Sequence, residues 1–176
     1  MYPEQNVIVR FENPDDPAER SAIRSVNQAA FGRADEADLV DTLRADGVVL
    51  VSLVAESERH IVGHILFSRI WINDVPAVAL APVAVLPEYQ RQGTGGMLII
   101  RGIDLLRTRG ELIILVLGHP RYYGRFGFAA ETARQIESPF PPEAFMAMEL
   151  APAALANIRG KVRYPAAFGL ASEHTS

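Results

Sequence analysis

The sequence predicts a mixed α/β fold, in which a mostly antiparallel sheet contains one central parallel pair of strands and is flanked by helices. Three strand-like apolar runs follow one another at 48–57, 60–72 and 75–87, separated by short polar turns, which is typical of an antiparallel meander. A helical pattern at 95–109 then precedes a run at 111–118 that is apolar on both faces. A strand, a helix and a buried strand in this order predict a crossover with parallel strands.

Local signals predict the other elements. Asp16 can cap a helix and Pro17 can occupy its first position, so a helix is predicted from there towards Gly32. The remaining elements are a first strand at 6–12, a second helix at 34–47, a short helix or turn at 119–128, and late strands at 145–150 and 160–168.

Length and composition predict one domain spanning 1–176, with a short disordered tail at about 170–176. The formal net charge of -4 and the lack of a basic cluster argue against a nucleic-acid partner. No apolar run is long enough to cross a bilayer, and the first residues lack a signal-peptide pattern, so no membrane partner is expected. Because the chain has no cysteine, disulfides and cysteine-linked acyl intermediates are excluded, and a cytoplasmic location is expected.

A glycine-rich turn, LPEYQRQGTGGML at 86–98, lies where an apolar strand passes into a helix. Gly93, Gly95 and Gly96 allow positive φ angles and let a ligand approach the backbone. The first amides of a helix have no acceptor within it and carry the positive end of its dipole, so the turn predicts an anion site. The side chains of Gln90, Arg91 and Gln92 can add donors at its rim.

Two nucleotide-binding patterns fail in this turn. The dinucleotide pattern GxGxxG needs a glycine where Leu98 stands, and the phosphate-binding loop of nucleotide hydrolases needs Gly-Lys-Ser/Thr. We therefore expect a pyrophosphate held mostly by backbone amides, without a metal. A nucleotide-binding domain, or a helix start that binds nothing, remains an alternative.

Pro82 interrupts the strand before the turn, and a proline within a sheet predicts a bulge or an edge. A bulge through Val83–Val85 would open the parallel pairing with the strand at 111–118. Backbone groups freed there can pair with an extended ligand that carries amides. A ligand with phosphates at one end and amides at the other suits both features, and coenzyme A is such a ligand.

The residues that carry these features resemble a known family. VAVLPEYQRQGTGGMLI at 83–99 is similar to the Q/R-x-x-G-x-G/A motif of the GNAT superfamily of N-acetyltransferases, with Gln90, Gly93 and Gly95 in its fixed places. The stretch from Tyr123 to Phe128 resembles the family's Y-x-x-x-G-F ending. Together with the YPxAF stretch at 164–168, YYxRFGF at 122–128 is similar to a group of predicted bacterial acetyltransferases.

The resemblance implies a GNAT-like sheet whose central parallel pair is splayed around acetyl-CoA. The pantetheine arm would pair with the bulged strand, and the pyrophosphate would lie in the turn. The implied coenzyme-binding residues are Val83, Ala84, Val85, Gln90, Arg91, Gln92, Gly93, Thr94, Gly95 and Gly96. The implied partners are a small-molecule or peptide amine as the acceptor and, by analogy with the family, a second copy of the chain in a homodimer.

Acetyl transfer to an amine needs a neutral amine, a stabilised oxyanion and a protonated leaving thiol. Tyr123 occupies the position of the family's usual general acid, and a backbone amide of the bulged strand can polarise the thioester carbonyl. Tyr122 is adjacent, so only one of the two tyrosines is expected to point into the cleft. The carboxylate that many members carry on the bulged strand is missing, so His119 is the candidate proton relay. A surface histidine without a catalytic role remains an alternative.

Single features of the sequence suggest another function and two further sites. A non-catalytic acyl-CoA-binding or sensing module would retain the cleft without acceptor chemistry. Four acidic residues of the second helix could attract a cationic amine: Asp35, Glu36, Asp38 and Asp41. His60 and His64 lie in a predicted strand, where four residues span roughly 13 Å, so one ion cannot bridge them and no metal site is predicted.

Overall fold

A computed structural model describes residues 6–169 of the chain. The helices are α1 (Pro17–Phe31), α2 (Asp35–Ala45), α3 (Thr94–Thr108) and α4 (Pro120–Tyr123). The strands are β1 (Val7–Phe11), β2 (Val49–Ser57), β3 (His60–Ile72), β4 (Val75–Val85), β5 (Ile113–Leu117), β6 (Ile136–Glu137), β7 (Phe145–Glu149) and β8 (Gly160–Arg163). The predicted tail at 170–176 lies outside the described residues.

The main sheet runs β1-β2-β3-β4-β5-β7, and along this path of the described chain only β4 and β5 pair in parallel. The short strand β8 pairs with the end of β3 and with β6. The predicted fold class is therefore confirmed, including the meander β2–β4 and the crossover through α3. Strand β6 was not predicted, because two residues without an apolar run carry no periodic signal.

The start of α1 follows the predicted capping chemistry. The Asp16 carboxylate accepts a hydrogen bond of 2.9 Å from the Ala18 amide, and Pro17 stands at the first helical position. The helix ends at Gly32, whose φ of 68° is left-handed. Ion pairs from Arg10 to Glu19 and Glu56 then tie β1 to α1 and β2.

The sheet is covered on both faces, so its strands alternate between two apolar cores. Val78 and Leu80 of β4 pack into the core beneath α3, whereas Ala77 and Ala79 belong to a core on the opposite face. The C-terminal segment closes the second core with Phe140, Tyr164 and Phe168. With both cores in place, α3 is fixed against the sheet with its first turn at the carboxyl end of β4.

Candidate active site

The central parallel pair of strands separates towards its carboxyl ends. Strands β4 and β5 pair only at Val78–Ala79 with Ile114–Leu115. Beyond that point β4 remains paired with β3 as far as Val85, while β5 remains paired with β7 as far as Leu117. The sheet therefore divides, and a gap bordered by main-chain groups opens between the two strand ends.

A bulge in β4 accompanies the separation. Across the β3–β4 ladder, Ile65 faces Val83 and Phe67 faces Leu80, so one residue of β3 opposes both Ala81 and Pro82. The peptide bond between these two residues is cis. An extra residue bends the bulged strand and increases its twist. The bulge predicted from Pro82 is confirmed, and it lies where the partner strands separate.

The glycine turn forms a cradle of free amides at the start of α3. Gly93 and Arg91 have left-handed φ angles of 86° and 62°, which turn the chain back into the helix. Met97 donates to the Gly93 carbonyl at 3.0 Å, whereas the amides of Thr94, Gly95 and Gly96 have no acceptor among residues 6–169. Three unpaired amides at the positive end of a 15-residue helix suit a bound anion.

The two glutamine side chains fasten the turn to the chain before it. Gln90 Nε2 donates to the Val85 carbonyl at 2.8 Å, and Gln92 Nε2 donates to the Glu88 carbonyl at 3.0 Å. Both amides are thus used within the turn, although the sequence suggests them as donors at its rim. Arg91 is exposed and has no ion-pair partner within the described chain, so its charge is available to a ligand.

The bulged strand presents its backbone to the gap. Ala84 is buried, Val83 is partly buried against the core beneath α3, and Val85 is partly buried. The Val85 carbonyl already accepts from Gln90, but a carbonyl oxygen has two lone pairs and can accept a second hydrogen bond.

Tyr123 lies at the end of β5. The amides of Tyr122 and Tyr123 donate to the His119 carbonyl at 3.1 and 3.0 Å, which forms the single turn of α4. The Tyr123 ring packs against Gly118 and meets the Phe128 ring edge-on, with centroids 5.9 Å apart. Burial, and to a smaller extent Tyr122, raises the pKa of Tyr123 to about 12, so its hydroxyl stays protonated at neutral pH.

Tyr122 borders the site from the other side. A Cβ placed on Gly95 would lie 2.6 Å from the Tyr122 hydroxyl oxygen and 3.8 Å from Val85 Cγ2. The hydroxyl therefore lies over the first turn of α3, next to the end of β4. The prediction that only one of the two tyrosines points into the cleft stays a prediction, because the two rings touch and differ in what they contact: Tyr122 lies over Gly95, and Tyr123 lies against Gly118. Their rings are edge-on at 5.0 Å.

The candidate proton relay is His119, which directly precedes α4. His119 is exposed, and its side chain has no partner within residues 6–169. Its role as a base stays a prediction.

The acidic residues of α2 are largely paired with arginines. Asp38 and Asp41 bind Arg24 at 2.7 and 2.8 Å, and Glu36 binds Arg33. This pairing gives most of the acidic face a structural role and weakens its case as an attractor for a cationic amine.

A second polar group lies away from this site. His64 is fully buried beneath α1, where Asn27 Nδ2 approaches its Nδ1 at 3.2 Å and Ser52 Oγ lies 2.9 Å from its Nε2. Because Asn27 Nδ2 also donates to the Ile23 carbonyl, it acts as donor, so His64 Nδ1 accepts and Nε2 donates to Ser52. A histidine that donates to serine cannot take its proton, and this chain of hydrogen bonds is structural.

The described residues contain neither a metal-ligand cluster nor a membrane-spanning helix. Within 6–169, no group of three or more His, Cys, Asp or Glu side chains is placed to hold a metal ion. No helix in the same range combines the length and apolar character needed to cross a membrane. The absence of a metal site stays a prediction.

Comparison with known proteins gives one consistent family. Residues 16–128 match the model of the Acetyltransferase (GNAT) family. The chain is 44% identical to the uncharacterized N-acetyltransferase YjhQ of Escherichia coli K12 over 137 residues, which cover 73% of this chain and 76% of YjhQ. It is also 32% identical over 163 residues to the uncharacterized N-acetyltransferase YhbS of that strain, covering 90% of this chain and 96% of YhbS.

Two solved structures share the fold. The crystal structure of YhbS from Escherichia coli in complex with CoA has a TM-score of 0.87 and 30% identity, over 96% of this chain and 95% of that one. A GNAT family acetyltransferase from Brucella melitensis in complex with acetyl-CoA has a TM-score of 0.78 and 34% identity, over 93% of this chain and 99% of that one. With its divided sheet and its glycine turn, this chain belongs to the GNAT family of acetyltransferases.

Proposed function

We propose that the protein is an N-acetyltransferase that moves the acetyl group of acetyl-CoA to a primary amine by direct attack within a ternary complex. One observation carries the proposal: the free amides of Thr94, Gly95 and Gly96 lie beside the gap between β4 and β5. A cradle for phosphates and an unpaired strand edge are thus adjacent, which matches the two ends of coenzyme A.

The residues of the cradle fit this co-substrate without a metal. Arg91 to Gly96 would hold the pyrophosphate through backbone amides, with the Arg91 guanidinium adding positive charge. Gln90 would act indirectly, because its hydrogen bond to Val85 fixes the turn relative to the strand end. The backbone edge of Val83–Val85 that β5 leaves unpaired would pair with the amides of the pantetheine arm.

The chemistry requires little from the side chains beyond placement and one proton donor. Acetyl transfer forms a C–N bond and breaks a C–S bond, while one amine proton is lost and the thiolate gains one. Holding both reactants in one cleft supplies proximity. A backbone amide of the bulged strand would stabilise the oxyanion, and His119 would carry the amine proton away.

The pKa of Tyr123 constrains how it donates. A thiol has a pKa of about 8.5, so a hydroxyl with a pKa of about 12 does not give its proton completely to a free thiolate. We infer that Tyr123 donates a hydrogen bond to the sulfur as the C–S bond breaks, and that any proton it gives to the sulfur is replaced by the amine proton that His119 relays.

The experiment that tests the proposal has two stages. Calorimetry with coenzyme A and acetyl-CoA measures binding, with ATP and NAD as controls for a nucleotide site. Thiol release from acetyl-CoA is then followed with and without a panel of polyamines, small metabolite amines and peptides with free N-termini. Amine-dependent release supports the proposal, binding without any turnover favours a sensing module, and absence of binding refutes both. The homodimer and the cytoplasmic location stay predictions.

A further inference from the structure

The first turn of α3 has an aromatic wall that lies outside the Q/R-x-x-G-x-G/A motif of the glycine turn. Tyr122 lies over Gly95. Next to it, the Phe126 ring would lie 3.4 Å from a Cβ placed on Gly96. The rings of Tyr122 and Phe126 are edge-on with centroids 5.4 Å apart. Both small residues of the turn are therefore in contact with one aromatic pair, which stands next to the free amides.

The Tyr122 hydroxyl is a free donor at this place. It has no hydrogen-bond partner among the described residues, although its ring is partly buried in the core beneath α3. Burial raises the pKa of Tyr122, with Arg125 opposing the effect, so the hydroxyl is neutral and keeps its proton at physiological pH. A neutral hydroxyl beside three free amides adds a fourth donor to the same small volume.

Arg125 is held on the outside of this wall. Its guanidinium carbon lies 4.9 Å from the centre of the Tyr122 ring and 5.6 Å from that of Phe126. Stacking occupies the face of the guanidinium, and Nε makes a long hydrogen bond of 3.5 Å to the Tyr122 carbonyl. The terminal N–H donors of the guanidinium have no partner within residues 6–169 and remain open to a ligand. No carboxylate in residues 6–169 pairs with Arg125, so its charge is not neutralised within that range.

We propose that Tyr122 and Arg125 complete the anion cradle, the hydroxyl donating to a phosphate group of coenzyme A and the guanidinium placing a positive charge beside it. The inference rests on the proposed function, since it names further residues of the same coenzyme site. It adds a side-chain hydrogen bond and a charge to a site that otherwise depends on backbone amides and Arg91.

Calorimetric titration of the full chain with coenzyme A and with dephospho-coenzyme A tests the proposal. The variants are Tyr122→Phe and Arg125→Gln, and Arg121→Gln is the matched control, because Arg121 is also exposed in this segment but has no ring contact. We expect about a tenfold loss of coenzyme A affinity for Tyr122→Phe and for Arg125→Gln, since hydrogen bonds to charged groups are the strong ones. Arg121→Gln should stay within about twofold of the wild type.

The two ligands distinguish which phosphate is bound. An equal loss for both ligands assigns the contact to the pyrophosphate, whereas a loss for coenzyme A alone assigns it to the 3′-phosphate, and either result supports the inference. Affinities unchanged in both variants, or an equal loss in Arg121→Gln, would overturn it. A loss that is matched by a lower melting temperature of the free protein would show a packing role and also overturn it. If the wild type binds neither ligand, the proposed function fails instead.

Discussion

Gly118 lies so close to the ring of Tyr123 that a methyl group at this position would overlap the ring. The missing side chain lets the ring pack against the end of β5, at one wall of the gap in the sheet. The position of the candidate proton donor thus depends on a glycine that the motif does not contain.

Gly118→Ala should therefore displace the Tyr123 ring. We expect kcat to fall by about tenfold or more, since a misplaced donor loses the transition-state hydrogen bond, while coenzyme affinity changes little. Steady-state kinetics with calorimetry separates the two quantities. Gly124→Ala is the control, because a Cβ at Gly124 meets no atom within 4 Å and should leave both quantities unchanged. Unchanged kcat in Gly118→Ala would contradict this role of the glycine.

Tyr123→Phe should lower turnover by roughly ten- to a thousand-fold and leave coenzyme affinity nearly intact, because only the hydroxyl is removed. Tyr164→Phe provides a matched control, since Tyr164 is a second mostly buried tyrosine whose ring packs on Phe140 and Phe168 in the other core. Rates are compared at saturating acetyl-CoA. A Tyr123→Phe rate equal to that of the control would remove Tyr123 from the mechanism.

His64 should make the fold sensitive to acid. Burial, and to a smaller extent Arg44, lowers the pKa of His64 to about 3, against about 6.5 in the unfolded chain. Folding favours the neutral form of His64. Its stabilising contribution to the free energy of unfolding is therefore complete above pH 6.5 and is lost as the pH falls towards 3. The loss approaches about 1.4 kcal/mol per pH unit in this window.

Urea unfolding between pH 7.5 and 4.5 measures this effect. His64→Gln should be less stable than the wild type at pH 7.5 but lose less stability on acidification. The exposed His60 lies on the same strand, so His60→Gln should retain the full pH dependence of the wild type. Parallel curves for wild type and His64→Gln would refute the assignment.

Gly102 of α3 lies against the buried ring of Phe67, and a Cβ there would overlap the ring. Alanine normally favours a helix over glycine by about 1 kcal/mol, but overpacking a core costs about 1–3 kcal/mol. We expect Gly102→Ala to lower the free energy of unfolding in denaturant titrations. Adding Phe67→Leu should recover part of the loss, because the smaller side chain makes room; strict additivity of the two changes would argue against the contact.

Much of the fold follows from local patterns. Three features depend on patterns within a few residues, which the sequence displays directly: the Asp16-Pro17 start of α1, the apolar runs of β2–β4 separated by polar turns, and the apolar run of β5. Strand β6 has no such local pattern, because its two residues are held by pairing with β8 and by the packing of Ile136 in the second core. Pro82 shows how one residue can predict a bulge, because a proline has no backbone N–H to donate to the hydrogen-bond ladder between β3 and β4.

What the sequence by itself determined is the chemistry of the backbone: which segments form strands and helices, where proline disturbs the sheet, and where glycines leave helix amides free. Only the tertiary structure decided how side chains from distant segments meet there. It turned Gln90 back onto Val85, brought Tyr122 from α4 over Gly95 of α3, and placed Tyr123 against Gly118. Such contacts depend on how α3 and α4 pack across the divided sheet. The distance between two helices cannot be read from the spacing of residues along the chain.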